Sequence, residues 1–461
     1  MTSFLLPEEP ITSFDEWVDT GVGGRGVEAA RRLGAEATIE EISRSGLRGR
    51  GGGGFPTGRK WAGIAGDPSA RKYLVVNGAE GEPGTFKDRA LLRANPYQVV
   101  EGLVIAAFAI GADEVYVGIK ASFEREIEAL TRAVQEFQNA GACTTCTVNI
   151  VGGPDEYLFG EEKALLEVIE GKPPLPRWFP PYEQGLFAVG PQEGWEAAPR
   201  AGGASGTPSP NPTLVNNVET LANVAHILVR GVDWFRSMGT DESPGNIVAT
   251  VVGDVVAPDV GEVELGTPLG AVIDAVGSGP LPGRSVKAVF SGVANPVLTA
   301  SQLDTPVSYE GFRDAGSSMG AAGFIVYDDS ACMVAAAHRL SRFLSVESCG
   351  QCPPCKLGSG AITARLERIE SGEGDVDDIA AVHGWLGRVT DGSRCYLATE
   401  EQVMVNSVLV AFPEEFAEHL DQHACPRPST SPVPKLVDLA DGVATYDERY
   451  WSKQPDWTYA D

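Results

Sequence analysis

Cys349, Cys352 and Cys355 occupy the stretch ESCGQCPPCKLGSG as a C-x2-C-x2-C run, and Cys395 follows forty residues on, in GSRCYLATEEQ. Three thiolates at i, i+3 and i+6 can converge on one centre. The glycine and prolines between them favour a tight loop. A distant fourth cysteine closes the set, which is the ligand count a [4Fe-4S] cluster requires. Zinc usually takes pairs of ligands separated by a longer loop. Three cysteines within seven residues suit a cubane better. The remaining cysteines are expected to do less. Cys143 and Cys146 form a lone C-x-x-C and read as buried or surface thiols. Cys332 and Cys425, the latter beside His423, read as packing residues.

A second group of residues suggests a nucleotide pocket. GLRGRGGGGFPTGRKW spans Gly46 to Trp61. Successive glycines expose backbone N–H groups for close approach to phosphate. Arg48, Arg50, Arg59 and Lys60 add charge, and Phe55 adds a stacking face. A G-x-G-x-x-G can be read at Gly49, Gly51 and Gly54, but no strong strand precedes it, and a structural glycine turn stays open. NGAEGEPGTFKDR places Glu80 and Glu82 beside glycines, where they could accept hydrogen bonds from ribose, ribityl or ring nitrogens. FGEEKA puts Glu161 and Glu162 at a helix start, where carboxylates also interact well with the helix dipole. Asn216 and Asn217 in VNNVET suit a loop or a polar ligand. Together these loops describe a polar, glycine-lined pocket for a large nucleotide.

The elements that must carry these residues follow from the apolar pattern. KYLVVNG, EVYVGIK and TVNIVGG read as strands, alternating with helices at NPYQVVEGLVIAAFAIGA and SFEREIEALTRAVQEFQNAG. This alternation predicts an α/β layer to about residue 150. NPTLVNNVETLANVAHILVRG reads as a loop entering a helix. Residues 188–212, rich in Gly, Pro, Ser and Ala, read as a flexible surface insertion. From about 246 the runs become short and β-rich, with one helix, and a small α+β unit is expected to 330. Helical periodicity dominates 331–425. The stretch 426–461 carries prolines and exposed aromatics and reads as a tail.

Composition narrows the class. The chain has 461 residues, 43% of them hydrophobic and 21% charged, as in ordinary globular proteins. A net charge of −27 argues against nucleic acid as the main partner. The longest apolar run, Leu103 to Ala112, is far short of the ~20 residues a membrane helix needs. MTSFLLPEEP lacks the basic and apolar regions of a secretory signal. A soluble cytoplasmic protein is expected, with no direct membrane insertion.

Taken together, GLRGRGGGGFPTGRKW, NGAEGEPGTFKDR, YLFGEEKALLEVIEG, TLVNNVETLANV and ESCGQCPPCKLG with Cys395 resemble the NADH-binding flavoprotein subunit of respiratory complex I. The diaphorase subunits of NAD-linked hydrogenases and formate dehydrogenases share these motifs. The resemblance spans about 46 to 400. It implies a Rossmann-like FMN- and NADH-binding α/β domain at 1–245, a ubiquitin-like α+β domain at 246–330 and a helical [4Fe-4S] domain at 331–425. It also implies an NADH dehydrogenase: hydride passes from NADH to FMN, and single electrons pass through the cluster to a partner. That partner would be a thioredoxin-like [2Fe-2S] subunit within a larger redox complex. Such a complex would place the chain on the cytoplasmic side of a membrane if it is respiratory.

Residue by residue, the resemblance lays Gly49, Arg50, Gly51, Gly52, Gly53, Gly54, Phe55, Pro56, Thr57 and Gly58 along the nucleotide, with Phe55 near the adenine. Lys60, Asn77, Glu80, Tyr157, Gly160, Glu161, Val215, Asn216, Asn217 and Thr220 would contact FMN. Glu82 and Glu162 would face the nicotinamide and are the catalytic-site candidates. The Glu162 carboxylate would disfavour a 2'-phosphate, and so NADPH. Cys349, Cys352, Cys355 and Cys395 would hold the cluster. The chain departs from the family's pattern at Ala79, Phe159, Lys163, Gly63 and Phe179. The changes at Gly63 and Phe179 leave open a subunit that keeps FMN and cluster but draws electrons from a ferredoxin or another donor.

Overall fold

The structure, a computed structural model, describes residues 3–189, 209–427 and 435–460. Most of the insertion expected at 188–212 therefore lies outside the described residues. Its two ends are joined by an antiparallel bridge between Val189 and Ser209.

Four strands form the first sheet: β1 (Tyr73–Gly78), β2 (Glu114–Lys120), β3 (Thr147–Gly153) and β4 (Thr213–Asn217). Their order is β3-β2-β1-β4, and every pair is parallel. Parallel strands are covered on both faces, so β1 reads YLVV rather than alternating. The helix Pro96–Ile110 packs here and is buried along nearly its whole length. Asn95 caps it by accepting from the amides of Tyr97 and Gln98, and Pro96 opens it. Gly102 lets this helix meet the next one closely, because a Cβ there would stand 2.0 Å from the Leu221 carbonyl. The sequence pattern suggests a loop where β4 lies. The polar end of this strand, Asn216 and Asn217, masks it in sequence, but pairing with β1 fixes it.

The second sheet holds β5 (Asn246–Gly253), β6 (Asp259–Glu264), β7 (Val286–Ser291), β8 (Leu298–Thr299) and β9 (Gly323–Asp328), in the order β6-β5-β9-β7-β8. β5 and β9 are parallel and the other pairs antiparallel. The helix Leu269–Gly277 covers it with Leu269, Val272, Ile273 and Val276.

Five helices follow, from Met333–Glu347 to Pro413–Gln422, around a core that includes Phe343, Leu344, Ile362, Met404 and Val408. Among the described residues, no helix is long and apolar enough to cross a membrane. The last stretch differs from the tail expected of it. β10 (Leu436–Ala440) and β11 (Val443–Tyr446) form a hairpin, and Tyr450 behind them is fully buried. Its hydroxyl reaches Glu347, 3.1 Å away in the helical core, so a ring that reads as exposed in sequence has a polar partner inside.

Candidate flavin cavity and four-cysteine centre

One cavity of about 550 Å³ lies where the two sheets and the helical region meet, a volume in the usual range for a cofactor site. Gly51, Gly52 and Gly53 form one wall; Asn77, Glu80 and Gly81 come from the end of β1 and the loop after it. Ligands of parallel sheets bind at the carboxyl ends of strands, and these residues follow that rule. Tyr157, Gly160 and Glu161 form a third side, Asn217 ends β4, and Asn295, Ser318 and Gly320 come from the loops that follow β7 and precede β9. Gly52 sits at φ +114° with room beyond it, and no atom lies within 4 Å of a Cβ placed at Gly53. The glycine wall therefore offers backbone to whatever fills the space.

Several expected contacts are brought together here and several are not. Arg50 is buried, but its guanidinium donates to the carbonyls of Pro244 (3.2 Å) and Asn246 (3.0 Å), tying the loop to β5. Arg48 lies 4.2 Å over the Tyr309 ring and donates to the Gly54 carbonyl. Neither arginine lends the cavity a phosphate partner. Gly49 and Gly54 pack against Tyr309. Pro56 opens the helix Thr57–Ala65, and Gly58 fits tightly over Ser43. Thr220 accepts from the Arg50 amide, Asn216 accepts from the Trp61 indole, and Val215 sits in the sheet core. Phe55 is 49% exposed and does not line the cavity. Glu162 pairs with Lys60 at 3.2 Å outside the cavity wall.

Buried charge lines the floor. Lys87 stands 2.7 Å from Asp88 and 3.0 Å from Glu219, both buried. Burial alone would lower the ammonium's pKa. Asp88 first, then Glu219 and Glu80, outweigh that and raise it. Asn217 donates to Asp88 and accepts from Lys87, which fixes its amide. Glu80 is held by Arg89 and by the amide of Asp88, yet burial raises its carboxyl pKa. None of Lys87, Asp88 and Glu219 stands out in sequence. Lys87 and Glu219 lie 132 positions apart and only the fold brings them together.

Glu82 carries the most telling contact. The Tyr157 hydroxyl donates to it at 2.6 Å and lies 3.2 Å from both oxygens of Glu400. A phenol has one proton to give, so it cannot donate to both carboxylates at once. Burial raises both carboxyl groups, and the charge of Glu82 adds to the rise at Glu400. Glu161 caps the helix Glu162–Ile169, accepting from Lys163 and Ala164, and burial pushes its carboxyl to about 7.

Beside this cavity lies a smaller one lined by Cys349, Cys352, Cys355 and Cys395 with Leu158, Pro176 and Leu397. Cys352 directly precedes the helix Pro353–Glu370, so the run turns into helix after its second cysteine. Burial raises the thiols of Cys349 and Cys355, the latter to about 11. Four sulfurs around an apolar pocket are a closed thiolate set that fits a [4Fe-4S] cluster. Leu158, Cys395 and Leu397 line both cavities, so only a single layer of side chains separates them.

Known proteins are similar to this chain in sequence and in fold. Residues 42–226 match the Nuo51 FMN-binding domain. Residues 335–419 match the NADH-ubiquinone oxidoreductase-F iron-sulfur binding region. An F subunit of NADH-quinone oxidoreductase from Rhizobium meliloti is 37% identical over 424 residues, covering 89% of this chain and 96% of that one. The chain belongs to the family of NADH-quinone oxidoreductase F subunits. Within the family, the Streptomyces coelicolor protein is 36% identical, covering 88% of this chain and 87% of its own. An NAD+-reducing [NiFe]-hydrogenase in the H2-reduced state superposes with a TM-score of 0.76 at 32% identity, over 91% of this chain and 68% of that chain. The chain thus carries both an FMN-binding region and a [4Fe-4S]-binding region.

Phe159 and Lys163, where the chain departs from the family's pattern, are both accommodated. The Phe159 ring occupies the space over Gly153, where a Cβ would stand 2.2 Å from it. Lys163 donates to the Arg394 carbonyl, beside Cys395. Gly63 faces open space.

Proposed function

We infer that this chain is the NADH-oxidising flavoprotein component of a larger redox complex, an NADH:acceptor oxidoreductase. The observation that carries this reading is the wall shared by the flavin cavity and the four-cysteine centre. Bound FMN and the cluster supply the conversion of a two-electron donor into single electrons. The chain's own residues bind, orient and insulate. Gly51 to Gly53, Asn77, Glu80, Tyr157, Gly160, Glu161 and Asn217 would hold the flavin, and the four cysteines would hold the cluster. Glu82, fixed by Tyr157 and by the Val293 amide at 2.7 Å, would face the nicotinamide. The Glu162 carboxylate, paired with Lys60 outside the cavity wall, would repel a 2'-phosphate and so favour NADH over NADPH.

The three units expected from sequence support the same reading: a nucleotide domain to 245, a ubiquitin-like unit over 246–330 and a cluster domain over 331–425. The strand order of the second sheet, with one covering helix, is consistent with a ubiquitin-like unit. A chain whose redox path ends at one cluster must pass electrons on, and a thioredoxin-like [2Fe-2S] subunit is the partner we propose. Anaerobic addition of NADH to the purified holoprotein should bleach the flavin absorbance within the mixing time of a stopped-flow instrument. A flavin that stays oxidised at saturating NADH would refute the assignment.

A further inference from the structure

Cys332 and Cys425 read as packing residues in sequence, yet they converge on His419. One ligand atom from each of the three lies within 4.8 Å of the others. Cys332 Sγ is 3.4 Å from His419 Nε2. A tetrahedral zinc ion with bonds of about 2.3 Å to sulfur and 2.0 Å to nitrogen sets neighbouring ligand atoms about 3.5 Å apart. This pair already has that spacing.

Each ligand is prepared by its own element. Cys332 is buried at the N-cap of the 15-residue helix Met333–Glu347, where its sulfur accepts from the Ala335 amide at 3.4 Å. His419 is fully buried in the last turn of Pro413–Gln422. Its Nδ1 lies 2.7 Å from the Glu415 carbonyl, which can only accept. Nδ1 therefore carries a proton, and Nε2 is the ring nitrogen that faces Cys332. Metal-bound histidines are oriented in this way by a second partner. Cys425 lies just past the end of that helix and is partly exposed, which gives an ion a way in. Two thiolates balance a divalent charge, and a sulfur–imidazole set selects zinc over magnesium or calcium.

We propose that Cys332, His419 and Cys425 bind one zinc ion, separate from the iron centre and with its fourth position open to water. The ion pins the end of the last helix to the start of the helical region's first helix. It needs no change of oxidation state.

Metal analysis of the full chain carrying its flavin and iron tests this. The expected result is about one zinc per chain, with a zinc-edge X-ray absorption shell of two sulfurs near 2.3 Å and lighter atoms near 2.0 Å. C425S and H419N should each lose the zinc and keep flavin and iron. Three results would overturn the proposal: zinc at trace level in wild type grown with zinc, zinc retained in a C332S/C425S double variant, or a Cys332–Cys425 disulfide in freshly prepared protein. If the variants fail to fold, the absorption shell of the wild type decides alone, and a shell without sulfur refutes the site.

Discussion

Glu401 shows how a single residue can set pH dependence in this molecule. It is fully buried beside the four-cysteine centre, and the Ser341 hydroxyl donates to it at 2.6 Å. Burial pushes its carboxyl up to about 8, only partly offset by that hydrogen bond. Between the ordinary value near 4.5 and about 8, the folded chain keeps a proton that the unfolded chain has released. The folded state binds more protons, so its stability falls as pH rises through that window. The steepest slope from one such group is about 1.4 kcal/mol per pH unit. We predict that E401Q, which cannot ionise, flattens the stability profile between pH 5 and 8 and is the more stable protein at pH 8. Denaturant midpoints measured across that range would show it; an unchanged profile would mean that Glu401 is ionised when folded. Residue-scale chemistry is unevenly legible. The C-x2-C-x2-C run can be read because its ligands are neighbours in sequence. Glu400 cannot: in TEEQ it looks like any acidic residue in the first turn of a helix, and only the fold sets it against Tyr157. Arg50 misleads in the opposite sense. Beside four glycines it reads as a phosphate partner, but the backbone carbonyls of Pro244 and Asn246 claim it first.

At the scale of elements, the short turn Tyr157–Gly160 is what sets the cavity's third side. Tyr157 and Gly160 face the cavity, while Phe159 points back into the core over Gly118 and Gly153. The turn is thus anchored by one buried ring. Truncating a buried Phe costs about 3–5 kcal/mol. We predict that F159A loses stability in this range and weakens FMN retention, whereas F159L recovers most of both. G153A should fail by the opposite route, because its new methyl would occupy the ring's place. Thermal unfolding together with flavin content after gel filtration would separate these outcomes, and a G153A protein as stable as wild type would sink the packing argument. Elements of this kind are legible where the apolar run is long, as in β1, β2 and the helix Pro96–Ile110. β4 escapes notice because two of its five residues are asparagines and it follows Pro212 directly. Its identity comes from its neighbour β1 in the sheet, which local pattern cannot report.

Across the whole molecule, the C-terminal stretch acts as a strap between the flavin region and the helical region. Arg89, in the helix after the Glu80 loop, donates to the carbonyls of Leu436 (2.9 Å) and Val437 (2.8 Å) in β10. Arg93 pairs with Asp438 at 2.7 Å. Further on, Lys453 lies 3.0 Å from Glu347, and Lys435 lies 3.6 Å from the same carboxylate. Glu347 is fully buried, and although burial would raise its carboxyl, these two lysines hold it below the usual carboxylate range. Removing the strap would strip a buried carboxylate of both cations and uncover the space filled by Tyr450. Breaking a buried pair from one side costs about 3–5 kcal/mol. We predict that a chain ending at Arg427 loses at least that much stability, and that the variant E347Q in the truncated chain recovers part of it by removing the unpaired charge. In the full-length chain E347Q should instead destabilise, since there the lysines would lose their partner. This reversal of sign distinguishes an electrostatic strap from simple loss of packing, and denaturant unfolding of the four proteins would reveal it. If E347Q destabilises both backgrounds equally, the hairpin contributes by packing alone.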